Sequence, residues 1–114
     1  MQIINIREIE EFAAARRIKK KLFFSDRMKS EILFYEPGQG TPEHVHPTED
    51  EIFYVIDGHG TFTIDGETIE AGSTSLLFVP AGARHGLSAD TGSRFVVMLV
   101  RAPGRAQRRP ATRA

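Results

Sequence analysis

The sequence contains no cysteine, and this absence removes three kinds of chemistry at once. Disulfide bonds, thiolate metal ligands and a cysteine nucleophile are all excluded. Long apolar runs are also absent: the longest covers residues 95–100, whereas a membrane-spanning helix needs about 20 apolar residues. The first residues lack a basic start followed by an apolar stretch, the pattern of a signal peptide. These absences predict a soluble, cytoplasmic protein with no membrane segment.

Basic residues are missing from the middle of the chain. No Lys or Arg occurs between residues 30 and 83, where ten acidic residues lie. An acidic centre helps to hold a cation and disfavours a nucleic-acid interface on that face. The bases are concentrated at 16–21 and in the last fourteen residues. Such clusters suit nucleic acids or acidic partners, but they are more often simply solvated, and no recognition helix or aromatic stacking motif accompanies them here.

Short apolar segments alternate with Gly- or Asp-containing turns after residue 20. The clearest turn is Asp65-Gly66, a two-residue hairpin signal between segments 61–64 and 67–69. Many short strands of this kind predict an all-β sandwich or barrel. The predicted strands cover 21–24, 28–35, 51–56, 60–64, 67–70, 75–79 and 95–100.

The two ends of the chain differ from this pattern. Residues 2–6 predict a short edge strand, and 8–16 predict a short helix whose acidic residues precede its basic ones, as the helix dipole favours. With 114 residues, the chain suffices for one domain. We assign that domain to residues 1–102. Residues 103–114 contain no apolar side chain larger than alanine, which predicts a flexible basic tail.

The predicted strand 51–56 is apolar on both faces. Alternation places Phe53 and Val55 on the face of Glu51, while Ile52 and Tyr54 point the other way. One face would line the interior of a barrel, and the other needs a second layer or a partner subunit to cover it. We therefore expect a homodimer joined through this strand and the N-terminal strand.

Three histidines and one glutamate stand in two glycine-containing blocks. The first block is Gly38-x5-His44-x-His46-x4-Glu51-x6-Gly58, and the second is Pro80-x-Gly82-x2-His85. Neutral imidazoles with one carboxylate suit a divalent first-row transition metal. Residues two apart on an extended strand share a face, so His44 and His46 can chelate one ion together.

These blocks resemble the two motifs of the cupin family. The first block matches at every defining position, and the second matches at Gly72, Pro80, Gly82 and His85. Gly72 lies eight residues before Pro80 instead of six, and Ala89 stands where asparagine is common. The resemblance implies a double-stranded β-helix, or jelly-roll, barrel and a homodimer. It also implies one divalent ion (Fe, Mn, Ni or Zn) per chain, held by His44, His46, Glu51 and His85.

Such a ligand set leaves room on the ion for water or substrate, which separates a catalytic metal from a structural one. The resemblance includes dioxygenases, isomerases, decarboxylases and lyases, so it implies a range of reactions. We interpret the chain as a small metal-dependent enzyme, of the dioxygenase or isomerase class, acting on a small oxygenated organic acid. The alternative is a non-catalytic module that binds a small ligand or regulates a partner. No nucleophile–base pair or nucleotide fingerprint is present.

Supporting residues are few in this sequence. The hydroxyls of Tyr35 and Tyr54 are candidates, although Tyr54 faces away from the lumen. We expect a barrel lumen with few polar side chains. Each of the remaining candidate residues also has an interpretation in which it has no functional role. Arg84 and Arg94 either pair with a substrate carboxylate or are solvated, and Glu43 and Glu49 either orient imidazoles or belong to a loop without a function. His59 is expected in a solvated turn.

The side chains expected to form the walls of the lumen are Phe53, Val55, Phe62, Phe78 and Met98, or their strand neighbours.

Overall fold

The computed structural model describes residues 1–103. Within this range one short helix, α1 (Ile6–Ile9), precedes eight strands. None of the helical structure in the described range is long and apolar enough to cross a membrane. The strands are β1 (Ile18–Phe24), β2 (Lys29–Tyr35), β3 (Gly40–Val45), β4 (Asp50–Ile64), β5 (Glu67–Gly72), β6 (Leu76–Val79), β7 (Arg84–Ala89) and β8 (Phe95–Ala102). The predicted tail at 103–114 lies outside the described residues, apart from Pro103.

The strands form one curled antiparallel sheet in the order β1-β2-β8-β4-β7-β3, to which β5 and β6 are joined through β4. The first half of β4 pairs with β6 and β8, and its second half pairs with β5 and β7. A bulge between Val55 and Asp57 separates the halves and bends the strand from one layer of the barrel to the other. This architecture confirms the predicted all-β jelly-roll with a short N-terminal helix.

The bulge explains why two predicted strands, 51–56 and 60–64, are one continuous strand. Gly58 has φ +84°, and a Cβ there would collide with the Arg94 carbonyl oxygen, so only glycine fits. The Asp57-Gly58 pair belongs to the turn in which His59 was expected. Its backbone is strand-like because the residues of β4 before and after the bulge both remain paired with β8.

The N-terminal prediction is wrong in two respects. Residues 2–5 are not a strand, and the helix covers only Ile6–Ile9 instead of 8–16. The Asn5 side chain accepts a hydrogen bond from the Arg7 amide at 2.9 Å and caps a helix that starts earlier than expected. The helix ends because Glu10 is extended. This segment packs on the outer face of the sheet, where Ile6, Ile9 and Phe12 cover Ile32, Phe34 and Val96.

The barrel interior is built by alternation along the strands. Phe53, Val55 and Phe62 belong to the inner core, as predicted. Phe78, expected in the wall, is 60% exposed because it pairs with Ile52 on the outer face. Met98 also faces away from this inner core, opposite Tyr54. Their strand neighbours Leu77 and Leu99 face the interior instead.

Candidate metal centre

Two polar strands bring the histidines together. In the pairing of β3 with β7, His44 lies directly opposite His85. His46 follows just after β3, two residues beyond His44, and so shares its side of the chain. The three imidazoles each offer a nitrogen, and these nitrogens all lie within 4.8 Å of one another. The sequence did not predict β3 and β7 as strands, but the spacing of the histidines did require an extended chain at His44.

Glu51 begins the inward face of β4 and completes the group. Its Oε1 atom lies 2.9 Å from His85 Nε2 and 3.8 Å from His46 Nε2. The carboxylate is buried, as is the His85 ring. The structure therefore brings together all four side chains singled out from the sequence.

Backbone carbonyls fix the orientation of two imidazoles. His44 Nδ1 lies 2.9 Å from the Pro42 carbonyl oxygen, and His85 Nδ1 lies 3.0 Å from that of Ala83. A carbonyl only accepts, so in each ring Nδ1 donates the proton. In the neutral imidazole, Nε2 then carries a lone pair, which is the tautomer that a metal requires.

Three buried atoms at the centre of this group lack hydrogen-bond partners among residues 1–103: His46 Nε2, His85 Nε2 and Glu51 Oε1. The contact between His85 and Glu51 is short, but it does not meet hydrogen-bond geometry. Buried polar atoms in native proteins normally have a partner. Two ligands bound at about 2.1 Å and at right angles on one ion stand about 3.0 Å apart. The residues present therefore fit a divalent cation.

Arg101 supports the carboxylate from behind. Its Nη1 donates to Glu51 Oε2 at 3.2 Å, and its Nη2 donates to Glu31 Oε1 at 3.2 Å. Its Nε lies 3.5 Å from Glu49 Oε1. The sequence interpretation missed this residue, because it was grouped with the arginines of the last fourteen residues. Alternation along β8 could have found it, since Val97, Leu99 and Arg101 share one face and the first two line the core.

The local charges set the protonation of the group. Burial raises the pKa of Glu51, but the contact with His85 and the charge of Arg101 outweigh it and leave that pKa below its ordinary value. Burial lowers the pKa of His46. Burial also acts to lower the pKa of His85, but the Glu51 carboxylate and the Ala83 carbonyl leave it raised.

A cavity of about 230 Å³ opens beside the group. Its walls carry more charge than the sequence predicted, because β1 and β8 turn bases inward that had been interpreted as solvated. The lining residues are Arg17, Lys19, Glu31, Leu33, Thr41, His44, His46, Glu51, Phe53, Leu87, Leu99 and Arg101.

Of the other residues singled out from the sequence, some contact residues of the site and others do not. The Tyr35 hydroxyl contacts Thr41 Oγ1 at 2.7 Å, and burial raises the pKa of Tyr35 to about 12. Glu49 Oε1 lies 4.0 Å from His46 Nδ1, which favours the role of orienting that ring. The remaining candidates do not line the cavity: Glu43 pairs with Arg84, Arg94 pairs with Glu36, Tyr54 lies on the outer face, and His59 is exposed on β4 instead of in a turn.

Comparison with known proteins agrees with this geometry. A family model described as the cupin domain matches residues 32–101, more than half of the chain. The chain belongs to the cupin family. The matched segment contains β3, β4 and β7, which carry or adjoin all four residues of the candidate site.

Two solved structures share the barrel over almost its full extent. The TT1209 protein from Thermus thermophilus has a TM-score of 0.85 at 27% identity, covering 91% of this chain and 99% of that one. An RmlC-like cupin protein from Desulfovibrio desulfuricans has a TM-score of 0.82 at 29% identity, covering 91% and 98%.

Sequence relatives have names that describe different chemistries. An uncharacterized Streptomyces coelicolor protein is 29% identical over 86 residues, 75% of this chain and 81% of that protein. The tetracenomycin polyketide synthase protein TcmJ of Streptomyces glaucescens is 37% identical over 49 residues, 43% of this chain and 33% of its own length. The acetate kinase EutQ of Clostridioides difficile is 43% identical over 47 residues, 41% of this chain and 30% of its own length. The chain thus spans about a third of the last two, which together select no single reaction.

Proposed function

We propose that this cupin is a small metal-dependent enzyme acting on a small oxygenated organic acid. His44, His46, Glu51 and His85 would hold one divalent ion, either Fe, Mn, Ni or Zn. The observation that carries the proposal is the convergence of three buried ligand atoms, none of them hydrogen-bonded within residues 1–103, at one point of the described structure. Imidazole does not discriminate well among these metals, so the metal found in the protein will also depend on its supply.

The chemistry of the site follows from its open side. A divalent ion bound there would polarise the oxygen of a coordinated carbonyl or carboxylate group. The cavity of about 230 Å³ equals the volume of about eight liquid water molecules. This space suits a small organic acid, and the apolar walls at Phe53, Leu87 and Leu99 exclude water from part of it. We place the reaction in the dioxygenase or isomerase class.

Metal content tests the proposed site. We expect about one ion per chain in the wild type and near-complete loss in His46→Ala, which should keep its fold because apolar burial supplies most of the stability. His59→Ala is the matched control, since His59 is exposed and lies outside the three-histidine group. Undiminished metal in folded His46→Ala protein would show that the proposed ligands are wrong.

Turnover tests the enzymatic part. The wild type, loaded in turn with Fe(II), Mn(II), Ni(II) and Zn(II), is incubated with a panel of small hydroxy and keto acids. We expect turnover that stops on chelation and returns with one particular metal. If the protein binds an acid tightly but converts none of the acids with any of the four metals, the proposal that it is an enzyme would be contradicted.

A non-catalytic binding module is the second candidate. The observation that favours it is the pairing of Arg101 with Glu31 and Glu51, because this pairing already holds the buried carboxylates in place without a metal. Such a module would bind a small acid equally well with and without metal. An isothermal titration of the apo and metal-loaded protein with the same acid distinguishes it from the enzyme.

A further inference from the structure

Arg17 is anchored at the wall of the cavity by the buried core. It lies one residue before β1, and its Nε donates to Thr41 Oγ1 at 2.8 Å. Thr41 Oγ1 also contacts the hydroxyl of Tyr35 at 2.7 Å, and Tyr35 is fully buried. Because one edge of the guanidinium is held in this way, its position relative to the cavity is fixed before any ligand arrives.

The other edge of this guanidinium is open. Within residues 1–103, no carboxylate lies within 4.0 Å of Arg17, and its bond to Thr41 uses only Nε. Two other arginines are different: Arg84 pairs with Glu43 and Arg94 pairs with Glu36, each at 2.8 Å. Arg17 is half-buried and lines the cavity, and neither of its Nη groups has a partner in the described part of the chain.

The charges around the cavity also favour an anion. Three acids, Glu31, Glu49 and Glu51, share the charge of Arg101, and two lysines also pair with them: Lys19 lies 3.9 Å from Glu31, and Lys29 lies 3.9 Å from Glu49. Three cations thus match these three carboxylates. Arg17 is thus a lining cation that no acid in the described residues balances. A divalent ion at the histidines would add further positive charge, so the loaded cavity would attract an anion more strongly.

We propose that Arg17 is a specificity-determining residue that binds a second carboxylate of the substrate, while the first end of the same molecule occupies the metal site. This inference rests on the proposed function and deepens it, because it selects small dicarboxylates from among the organic acids. A planar guanidinium with two free Nη groups matches the two oxygens of a carboxylate. The Thr41 anchor supplies the orientation that a long, freely rotating arginine would lack.

The test uses two acids that chelate through the same hydroxyl and carboxylate oxygens. Malate carries a second carboxylate, and lactate does not. The Co(II)-loaded full chain is titrated with each acid, and binding is followed through the visible spectrum of the ion. We expect the wild type to bind malate about tenfold or more tightly than lactate, the effect of a charged hydrogen-bonded pair. In Arg17→Gln this preference should fall to about one, with lactate affinity and Co(II) content unchanged.

Controls separate the subsite from the metal site. Arg84→Gln removes an arginine outside the cavity and should keep the preference for malate. In ¹⁵N spectra, the Nε–H signal that Arg17→Gln removes should shift with malate and stay in place with lactate. Equal binding of both acids by the wild type, or an equal loss of both in Arg17→Gln, would overturn the subsite and leave the metal site standing. A wild type that binds no metal would overturn both proposals.

Discussion

Backbone carbonyl groups fix the orientation of individual side chains at the site. The carbonyls of Pro42 and Ala83 hold the Nδ1 protons of His44 and His85, so their Nε2 atoms turn toward the centre. Arg101 binds one oxygen of Glu51 and leaves the other facing His85. Because these contacts exist without an ion, binding a metal requires little reorganisation of the side chains.

We predict that the affinity for metal falls as the solution becomes acidic. The pKa of His85 lies above its ordinary value of 6.5 because of Glu51 and Ala83, so a proton competes with the metal at a higher pH than it would at an ordinary histidine. Burial lowers the pKa of His46, so protons compete less at that ring than at His85. A zinc competition titration against a chromophoric chelator, repeated from about pH 8 to about pH 5, measures the effect.

His59→Ala should give the same pH profile as the wild type, because His59 lies outside the three-histidine group. A constant affinity over this range would mean that no imidazole proton is displaced when zinc binds, and it would contradict the proposed ligands.

At the scale of elements, β4 connects the two layers of the barrel through its bulge, and Gly58 is the residue that permits the bend. We predict that Gly58→Ala lowers the free energy of unfolding by several kcal/mol. The left-handed backbone costs an alanine about 1–2 kcal/mol, and the collision with the Arg94 carbonyl adds to that cost. Chemical denaturation of both proteins measures the difference.

Gly66→Ala is the matched control for this substitution. Gly66 has the same φ of +84°, but a Cβ there meets no atom within 4 Å. It should therefore cost only the backbone strain of about 1–2 kcal/mol. Equal losses in the two variants would show that the close approach to Arg94 contributes nothing.

Elements whose apolar pattern dominates could be predicted from the sequence. Alternation correctly placed Phe53 and Val55 on the inner face, and the Asp65-Gly66 hairpin was correctly expected between β4 and β5. The polar strands β3 and β7 were missed because their residues serve the site and show little apolar alternation. The pairing of His44 with His85 could be expected only from the family resemblance.

Closure of the barrel, which no local pattern reveals, determines the roles of the basic residues. Arg17 and Lys19 were interpreted as part of a solvated cluster. The register of β1 with β2 places Lys19 opposite Leu33 of the inner core, so Arg17 and Lys19 lie on the side of the chain that faces the lumen. Arg101 was separated from its carboxylate partners by at least 50 residues. Alternation along β8 places Arg101 on the inner face, but its contacts with these carboxylates depend on the three-dimensional fold, so sequence spacing could not predict them.

At the scale of the whole molecule, the N-terminal segment covers only part of the outer face of the sheet. Ile52 and Phe78 form a cross-strand pair there, 48% and 60% exposed, and Leu76 is 71% exposed. Exposed apolar patches of this kind mark interfaces. We predict a homodimer joined through β4 and β6. The N-terminal segment, expected to join this interface as a strand, is not a strand, and its Ile6, Ile9 and Phe12 pack on its own chain.

Sedimentation velocity at micromolar concentration tests this assembly. The wild type should sediment as a dimer and Phe78→Glu as a monomer, because a charge would be buried in the interface. Ile69→Glu is the control, since Ile69 is 44% exposed but lies on β5, away from the patch. A monomeric wild type, or a dimer that survives Phe78→Glu, would contradict the interface.

The central claim is that one divalent ion is held by three imidazoles and one carboxylate. Anomalous diffraction from crystals of the metal-loaded chain, recorded on both sides of the absorption edge of the metal, tests it most directly. We predict one anomalous peak per chain, about 2.0–2.3 Å from Nε2 of His44, His46 and His85 and from a carboxylate oxygen of Glu51. A peak bound elsewhere on the chain, or the lack of any peak in crystals grown with excess metal, would contradict the claim.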